Sequence, residues 1–327
     1  MSWISDEALA RLQAASALPD LSGTRYRIVE RIGAGGMGAV YLAEDSVLAR
    51  RVALKILDVP DAAGELAARL LREAQILARL EHPGIVPVHD AGTLADGRAF
   101  YAMKFVQGER LDRHIASANL LADRLRIFQG ICDAVGFAHV RGVLHRDLKP
   151  ENIMVGPFGE VLVMDWGVAK ILRQPSESCD VSADQGRPFS ASGAAPKMIR
   201  TAHGAVLGTP GYMAPEQARG DSEKLDERAD IFSLGALLQF LLANSGAPPR
   251  LAAIALKSMA ADPAARYATV PELSQDVSRY LDGLPVAAYP ENILQKAARW
   301  AERYRVAIVL VLTYLLVRAL MLLWTRR

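Results

Sequence analysis

The sequence predicts an α+β fold: a small β-rich part, then a larger helical part, then a separate apolar helix near the C-terminus. Three observations carry this. Residues 26–57 hold three strand-like runs, YRIVERIG, AVYLAED and RVALKIL, bounded by turn residues. Beyond residue 115 the apolar pattern becomes mainly helical, over 127–141 and again in ERADIFSLGALLQFLLAN, PRLAAIALKSMAADPAARY and PELSQDVSRYLDG. Finally, 306–324, VAIVLVLTYLLVRALMLLW, carries one charge in 19 residues.

Residues 1–24 read as a short helix and a loop, and the acidic Asp6 and Glu7 stand where a secretory signal would need an apolar core. Next comes G-x-G-x-x-G at Gly33, Gly35 and Gly38. That spacing serves a strand-to-helix dinucleotide turn, a β-hairpin folded over nucleotide phosphates, or a plain glycine turn. Here the β-prone Ala39, Val40, Tyr41 and Leu42 follow directly, then a third strand with Lys55, so the glycines join two antiparallel strands. The dinucleotide reading fails. The helical stretch 64–80 puts Leu66, Leu70 and Leu77 on one face, with Glu73 among them. A carboxylate on an apolar stripe needs a cation, and Lys55 is the candidate. FYAMKFVQGERLDRHI reads as a strand leading into a polar connector, GVLHRDLKPENIMV as a loop entering a strand, and VLVMDWGVAK as a strand ending in Asp165. The polar tract 173–200 has no periodicity and reads as flexible.

With 51% hydrophobic and 23% charged residues, the 327-residue chain can bury a sizeable core, and a net charge of +2 gives no general argument for nucleic acid. Cys132 and Cys179 show neither metal-type nor disulfide-type spacing, which suits a reducing compartment.

The ordered set of motifs resembles the eukaryotic-like Ser/Thr protein kinases of bacteria. It comprises Gly33-Ala34-Gly35-Gly36-Met37-Gly38-Ala39-Val40, Val52-Ala53-Leu54-Lys55, Glu73, His145-Arg146-Asp147-Leu148-Lys149-Pro150-Glu151-Asn152, Asp165-Trp166-Gly167 and Ala214-Pro215-Glu216. The resemblance implies a bilobal domain over 25–284, with an N-lobe at about 25–103, a C-lobe at about 107–284 and an activation segment at 165–216. It implies ATP with Mg²⁺, or Mn²⁺ in its place. Ile32, Gly33 to Val40, Ala53, Met103, Lys104 and Val106 would surround the nucleotide, Met103 gating the back pocket and Lys104 and Val106 offering backbone hydrogen bonds. Lys55 would pair with the α and β phosphates and Glu73 would hold it; Asn152 and Asp165 would bind the metal. Asp147 would orient the substrate hydroxyl and accept its proton, and Lys149 would meet the γ-phosphate, a lysine typical of Ser/Thr-directed members. Asp230 would brace the catalytic loop, Glu216 and Arg266 would form a buried ion pair, and His145 would be packed scaffold.

This chain departs from the pattern in three places. Trp166 replaces the usual Phe; the segment from Asp165 to Glu216 spans 52 residues, longer than the family norm; and 36 positions separate Asp230 from Arg266, which leaves little room for a substrate-docking helix. Within the long segment, Thr209 matches the threonine tied to the catalytic loop, and Thr201 stands where relatives carry an activating phosphothreonine, with Arg146 as the expected phosphate partner. Two rival readings are a small-molecule phosphotransferase, which lacks the Ala-Pro-Glu segment, and a non-catalytic scaffold, which need not keep Lys55, Glu73, Asp147, Asn152 and Asp165.

A helix over 306–324 would be about 28 Å long, close to the hydrocarbon thickness of a bilayer, and it is apolar all round. Arg318 would cost about 2.5–3.5 kcal/mol at a bilayer centre but lies in the distal third, within reach of the interface. The alternative is a buried core helix. The expected arrangement is a juxtamembrane segment at 285–305, a single transmembrane helix at 306–324 acting as a tail anchor, and a kinase domain on the cytoplasmic side of a cell inner membrane. Expected partners are Ser/Thr-bearing proteins, the lipid bilayer and a second copy of the chain, with no nucleic acid.

Overall fold

The computed structural model describes residues 18–35, 38–61, 64–115, 120–167, 170–171, 211–220, 225–243, 246–290 and 304–325. Its first lobe is an antiparallel sheet of β1 (Tyr26–Gly35), β2 (Gly38–Asp45), β3 (Arg50–Leu57), β4 (Val88–Thr93) and β5 (Ala99–Lys104), in the order β1-β2-β3-β5-β4. Gly38 is required where β2 starts: a Cβ there would lie 2.2 Å from the Ile56 carbonyl oxygen of β3.

Helix α1 (Glu65–Arg79) packs on this sheet, and the Asp61 carboxylate accepts the Leu66 N–H at 2.9 Å in its first turn. The expected apolar face is corrected at one position. Leu70 and Leu77 are buried with Ala67, Glu73, Ala74 and Ile76, whereas Leu66 is exposed. The other face of the sheet buries Tyr26, Tyr41, Leu54 and Phe100 in a smaller cluster.

The chain then passes through β6 (Glu109–Arg110) and the short α2 (Leu111–His114) into a helical lobe. Its helices are α3 (Leu121–Val140), α4 (Pro215–Ala218), α5 (Glu227–Leu242), α6 (Pro249–Ser258) and α7 (Val270–Leu281). α3 starts six residues before the expected 127. α5 is apolar on every side and buries most of its length, packed between α3 and α6. α6 ends at Ser258, well short of the helical run read from sequence, and the chain turns through a 3₁₀ helix, Pro263–Ala265. β7 (Val143–Leu144), β8 (Ile153–Val155), β9 (Val161–Val163) and β10 (Lys170–Ile171) flank the cleft between the lobes. The strand expected to end in Asp165 stops two residues earlier, because Asp165 adopts φ +56°, which no strand accommodates.

The transmembrane helix expected over 306–324 is not shown: among the described residues no helix is long and apolar enough to cross a membrane. A 21-residue helix, α8 (Arg305–Thr325), does form there, and its side chains at 309–318 are exposed.

Candidate active site

Lys55 sits mid-strand in β3, opposite Val40 on β2 and Tyr101 on β5. Its Nζ lies 2.7 and 2.9 Å from the two carboxylate oxygens of Glu73 and 3.3 Å from Asp165 Oδ1. Burial by itself would depress the Lys55 pKa; Glu73 and then Asp165 outweigh it and hold the ammonium above its ordinary value. Burial likewise pushes the Asp165 carboxyl up, and Lys55 leads the influences that bring it below the usual range. Both groups are therefore charged at neutral pH. Gly167 permits this approach, since a Cβ there would stand 3.0 Å from Glu73 Oε2.

The second half of the site lies on the loop between β7 and β8. Lys149 Nζ donates to Asp147 Oδ2 at 2.7 Å, and Asn152 Nδ2 donates to the Asp147 carbonyl at 2.8 Å and to its Oδ2 at 3.2 Å. With its amide nitrogen so committed, Asn152 has Oδ1 left for a cation. Asp230, fully buried on α5, holds this loop by accepting the N–H groups of His145 and Arg146, each at 2.8 Å, and a 2.7 Å contact from His139 Nε2. Burial would raise the Asp230 carboxyl, but these donors, led by His139, keep it below the usual value. Arg146 takes φ +71° to place the two N–H groups on one carboxylate. Gln217 Nε2 fixes the next peptide by donating to the Arg146 carbonyl at 2.6 Å.

His145 is scaffold. It is fully buried; Nε2 faces the Met164 carbonyl at 2.9 Å, so the proton sits there, and Nδ1 accepts the Asp147 N–H at 3.3 Å. Its ring packs against Trp166 at a 54° tilt, with the centroids 4.6 Å apart, and the indole N–H donates to the Val163 carbonyl at 3.3 Å. The larger aromatic is thus fully buried and hydrogen-bonded.

Around the cleft, Ala53 faces Met103 across β3–β5 and both are buried, as is Val106; Ala39 is buried, Val40 half-buried and Ile32 exposed. Gly33, Ala34 and Gly35 lie in β1 opposite Val40, Ala39 and Gly38, while Gly36 and Met37 fall outside the described residues. The Lys104 N–H is spent on the Pro87 carbonyl at 3.0 Å, so Lys104 can serve a ligand only through its own carbonyl. Thr201, Thr209 and the polar tract 173–200 also lie outside the described residues.

Asn152 and Asp165 offer oxygen donors only, and the Asp165 side chain is half exposed to the cleft. Among the described residues no group of three or more His, Cys, Asp or Glu forms a metal cage. An amide oxygen and a carboxylate are hard donors of the kind Mg²⁺ takes, with waters and phosphate oxygens as its other ligands.

A sequence model of the protein kinase domain matches residues 26–251. The chain belongs to the protein kinase family. The chain is 37% identical over 325 residues to the serine/threonine-protein kinase PknD of Chlamydia felis, covering 85% of this chain and 33% of that protein. PknD of Chlamydia muridarum is also 37% identical, over 79% of this chain and 32% of the relative. The chain thus spans about a third of the length of those curated relatives. The PknI kinase domain of Mycobacterium tuberculosis superposes with a TM-score of 0.57 at 26% identity, covering 80% of this chain and 99% of that one.

Three residues at the site escaped the sequence reading: Tyr101, His139 and Gln217. Tyr101 Oη donates to Glu73 Oε1 at 2.8 Å. No local signal marks it, because AFYAMK is buried on both faces; only the pairing of Tyr101 with Lys55 across β3–β5 reveals its role.

Proposed function

We propose that this kinase transfers the γ-phosphoryl group of ATP to Ser and Thr hydroxyls of proteins. The observation that carries the reading is the pairing of charges in two sets: Lys55 with Glu73 and Asp165, and Asp147 with Lys149, the latter aspartate also accepting a hydrogen bond from Asn152. Phosphoryl transfer needs cations and positioned donors around the phosphates, which the first set supplies. In the second, Asp147 would take the proton of the attacking hydroxyl as its oxygen bonds to the γ-phosphorus and the bond to the β–γ bridging oxygen breaks. Lys149 would offset charge on the γ-phosphate. Mg²⁺, when bound by Asn152 and Asp165, neutralises phosphate charge. The Glu216–Arg266 pair ties the Ala-Pro-Glu segment into the helical lobe, which favours a protein over a small-molecule acceptor.

The tract before residue 211 is proposed to carry autophosphorylation at Thr201, with the phosphate docking on Arg146. Arg146 is half-buried next to Asp147, and its burial lowers its pKa, so an anion beside it would be favourable. The test is phosphosite mapping after Mg–ATP incubation, with wild type, Asp147→Asn, Thr201→Ala and Arg146→Ala assayed on a Ser/Thr peptide. Phosphoserine or phosphothreonine should form in the wild type and not in Asp147→Asn, and Thr201→Ala and Arg146→Ala should each lose about tenfold in rate. Wild-type phosphotransfer only to a small molecule, or none, would sink the kinase reading; full activity in Thr201→Ala would sink the regulatory one.

Membrane attachment through 306–324 is part of the same reading. Its supports are one charge in 19 residues and the basic flank LQKAARWAERYR, whose Lys296, Arg299, Arg303 and Arg305 outnumber Glu302. The kinase domain would lie on the cytoplasmic side of the membrane, where ATP is. On fractionation the full chain should stay with membranes through an alkaline wash and enter solution with detergent. Recovery as a soluble monomer without detergent would leave the core-helix alternative.

A further inference from the structure

We propose that Tyr101 is a positioning residue for phosphotransfer, a second latch that keeps Glu73, and with it helix α1, in place when Lys55 is drawn toward nucleotide; this rests on the kinase reading above. In the β3–β5 register Lys55 and Tyr101 are direct partners, so both side chains leave the same face of the sheet toward α1. They converge on one atom. Glu73 Oε1 accepts Lys55 Nζ at 2.7 Å and the Tyr101 hydroxyl at 2.8 Å, while Oε2 accepts Lys55 at 2.9 Å. The two donors have different duties. The ammonium already divides itself between Glu73 and Asp165, and nucleotide phosphates would divide it further. The tyrosine is 2% exposed, and burial, reinforced by Glu73, pushes its ionisation far above the ordinary phenol range. It therefore remains a neutral donor to Glu73 throughout a catalytic cycle. Without it, each phosphate that attracts Lys55 would weaken the one direct tie left, among the described residues, from the sheet to a buried carboxylate.

A bland role for Tyr101 is core filling, since it is among the largest fully buried side chains. Phenylalanine separates the two, because it keeps the ring volume and the 5.8 Å approach of Lys55 Nζ to the ring and removes only the donor. The test uses the full chain as wild type and Tyr101→Phe, each also in a Glu73→Ala background. Tyr101→Phe should lower kcat/KM for ATP by about tenfold, the order lost with a hydrogen bond to a charged acceptor. In Glu73→Ala the same change should cost less than about twofold, because the hydroxyl has lost its target. Backbone hydrogen exchange, read without any turnover, should quicken by about fivefold in α1 while α3 and α5 keep their protection. Unchanged exchange in α1, a rise spread evenly over α1, α3 and α5, or equal losses in both backgrounds would overturn the proposal. An inactive wild type would defeat the kinase reading instead, and the exchange pattern would still decide the role of Tyr101.

Discussion

Asp165→Asn should lower phosphotransfer by at least about a thousandfold, equivalent to about 4 kcal/mol of transition-state stabilisation, while the midpoint of thermal unfolding moves by a few degrees at most. The two halves of this expectation come from different features of the residue. Its backbone sits at φ +56°, a left-handed conformation that Asn adopts about as readily as Asp, and its side chain is half exposed, so the fold loses little. Its charge is another matter. The carboxylate is an oxygen donor for the proposed Mg²⁺ and also holds Lys55 at 3.3 Å, and an amide removes the negative charge from both contacts. Steady-state kinetics across a range of Mg²⁺ concentrations, with unfolding followed in parallel, checks both halves. A variant that keeps wild-type turnover would remove Asp165 from the chemistry. Lys55→Met should be comparably inactive. Glu73→Gln should fall less, because it acts only through Lys55 and would still accept the Tyr101 hydroxyl.

The charged core of this site was legible because chemistry forces its residue types. A carboxylate at position 73, inside an apolar stripe, demanded a cation, and Lys55 stands 2.7 Å away. Tyr101 was not legible for the opposite reason: AFYAMK is apolar on both faces, so a tyrosine there reads as another buried aromatic. Its meaning depends on a cross-strand register with residues almost fifty positions earlier, and local periodicity carries no such information. The left-handed turn at Arg146 was hidden in the same way, since its backbone N–H is held by the distant Asp230. Leu66 failed on a smaller matter. It obeys the helical period but occupies the first turn of α1, where it remains exposed.

Arg266→Ala should cost about 3–5 kcal/mol of stability, since it strands a buried carboxylate rather than merely deleting a contact. The Arg266 side chain is fully buried, with Nη1 and Nη2 at 2.7 and 2.8 Å from the two oxygens of Glu216. It also donates to the carbonyls of Arg228 and Ala260, each at 2.8 Å, so one guanidinium joins the starts of α4 and α5 to the end of α6. Alanine leaves all of these acceptors without their donor, and no other side chain there supplies a planar fork among the described residues. Urea denaturation should show the loss, accompanied by a fall in thermal midpoint of about 6–15 °C. Arg266→Lys should recover only part, having one point charge for two carboxylate oxygens. The double variant Arg266→Met with Glu216→Gln should recover more than either single change, because it removes the stranded charge. Acid titration gives an independent reading of the same pair. Burial pushes the Glu216 carboxyl up, but Arg266 leads the influences that bring it below its usual value. The pair's contribution is therefore full above the unfolded carboxyl pKa, about 4.3, and is lost as pH falls through the lower folded value. Arg266→Ala should abolish that part of the acid dependence; if stability and its pH profile are both unchanged, the pair is not what ties the Ala-Pro-Glu segment to the helical lobe.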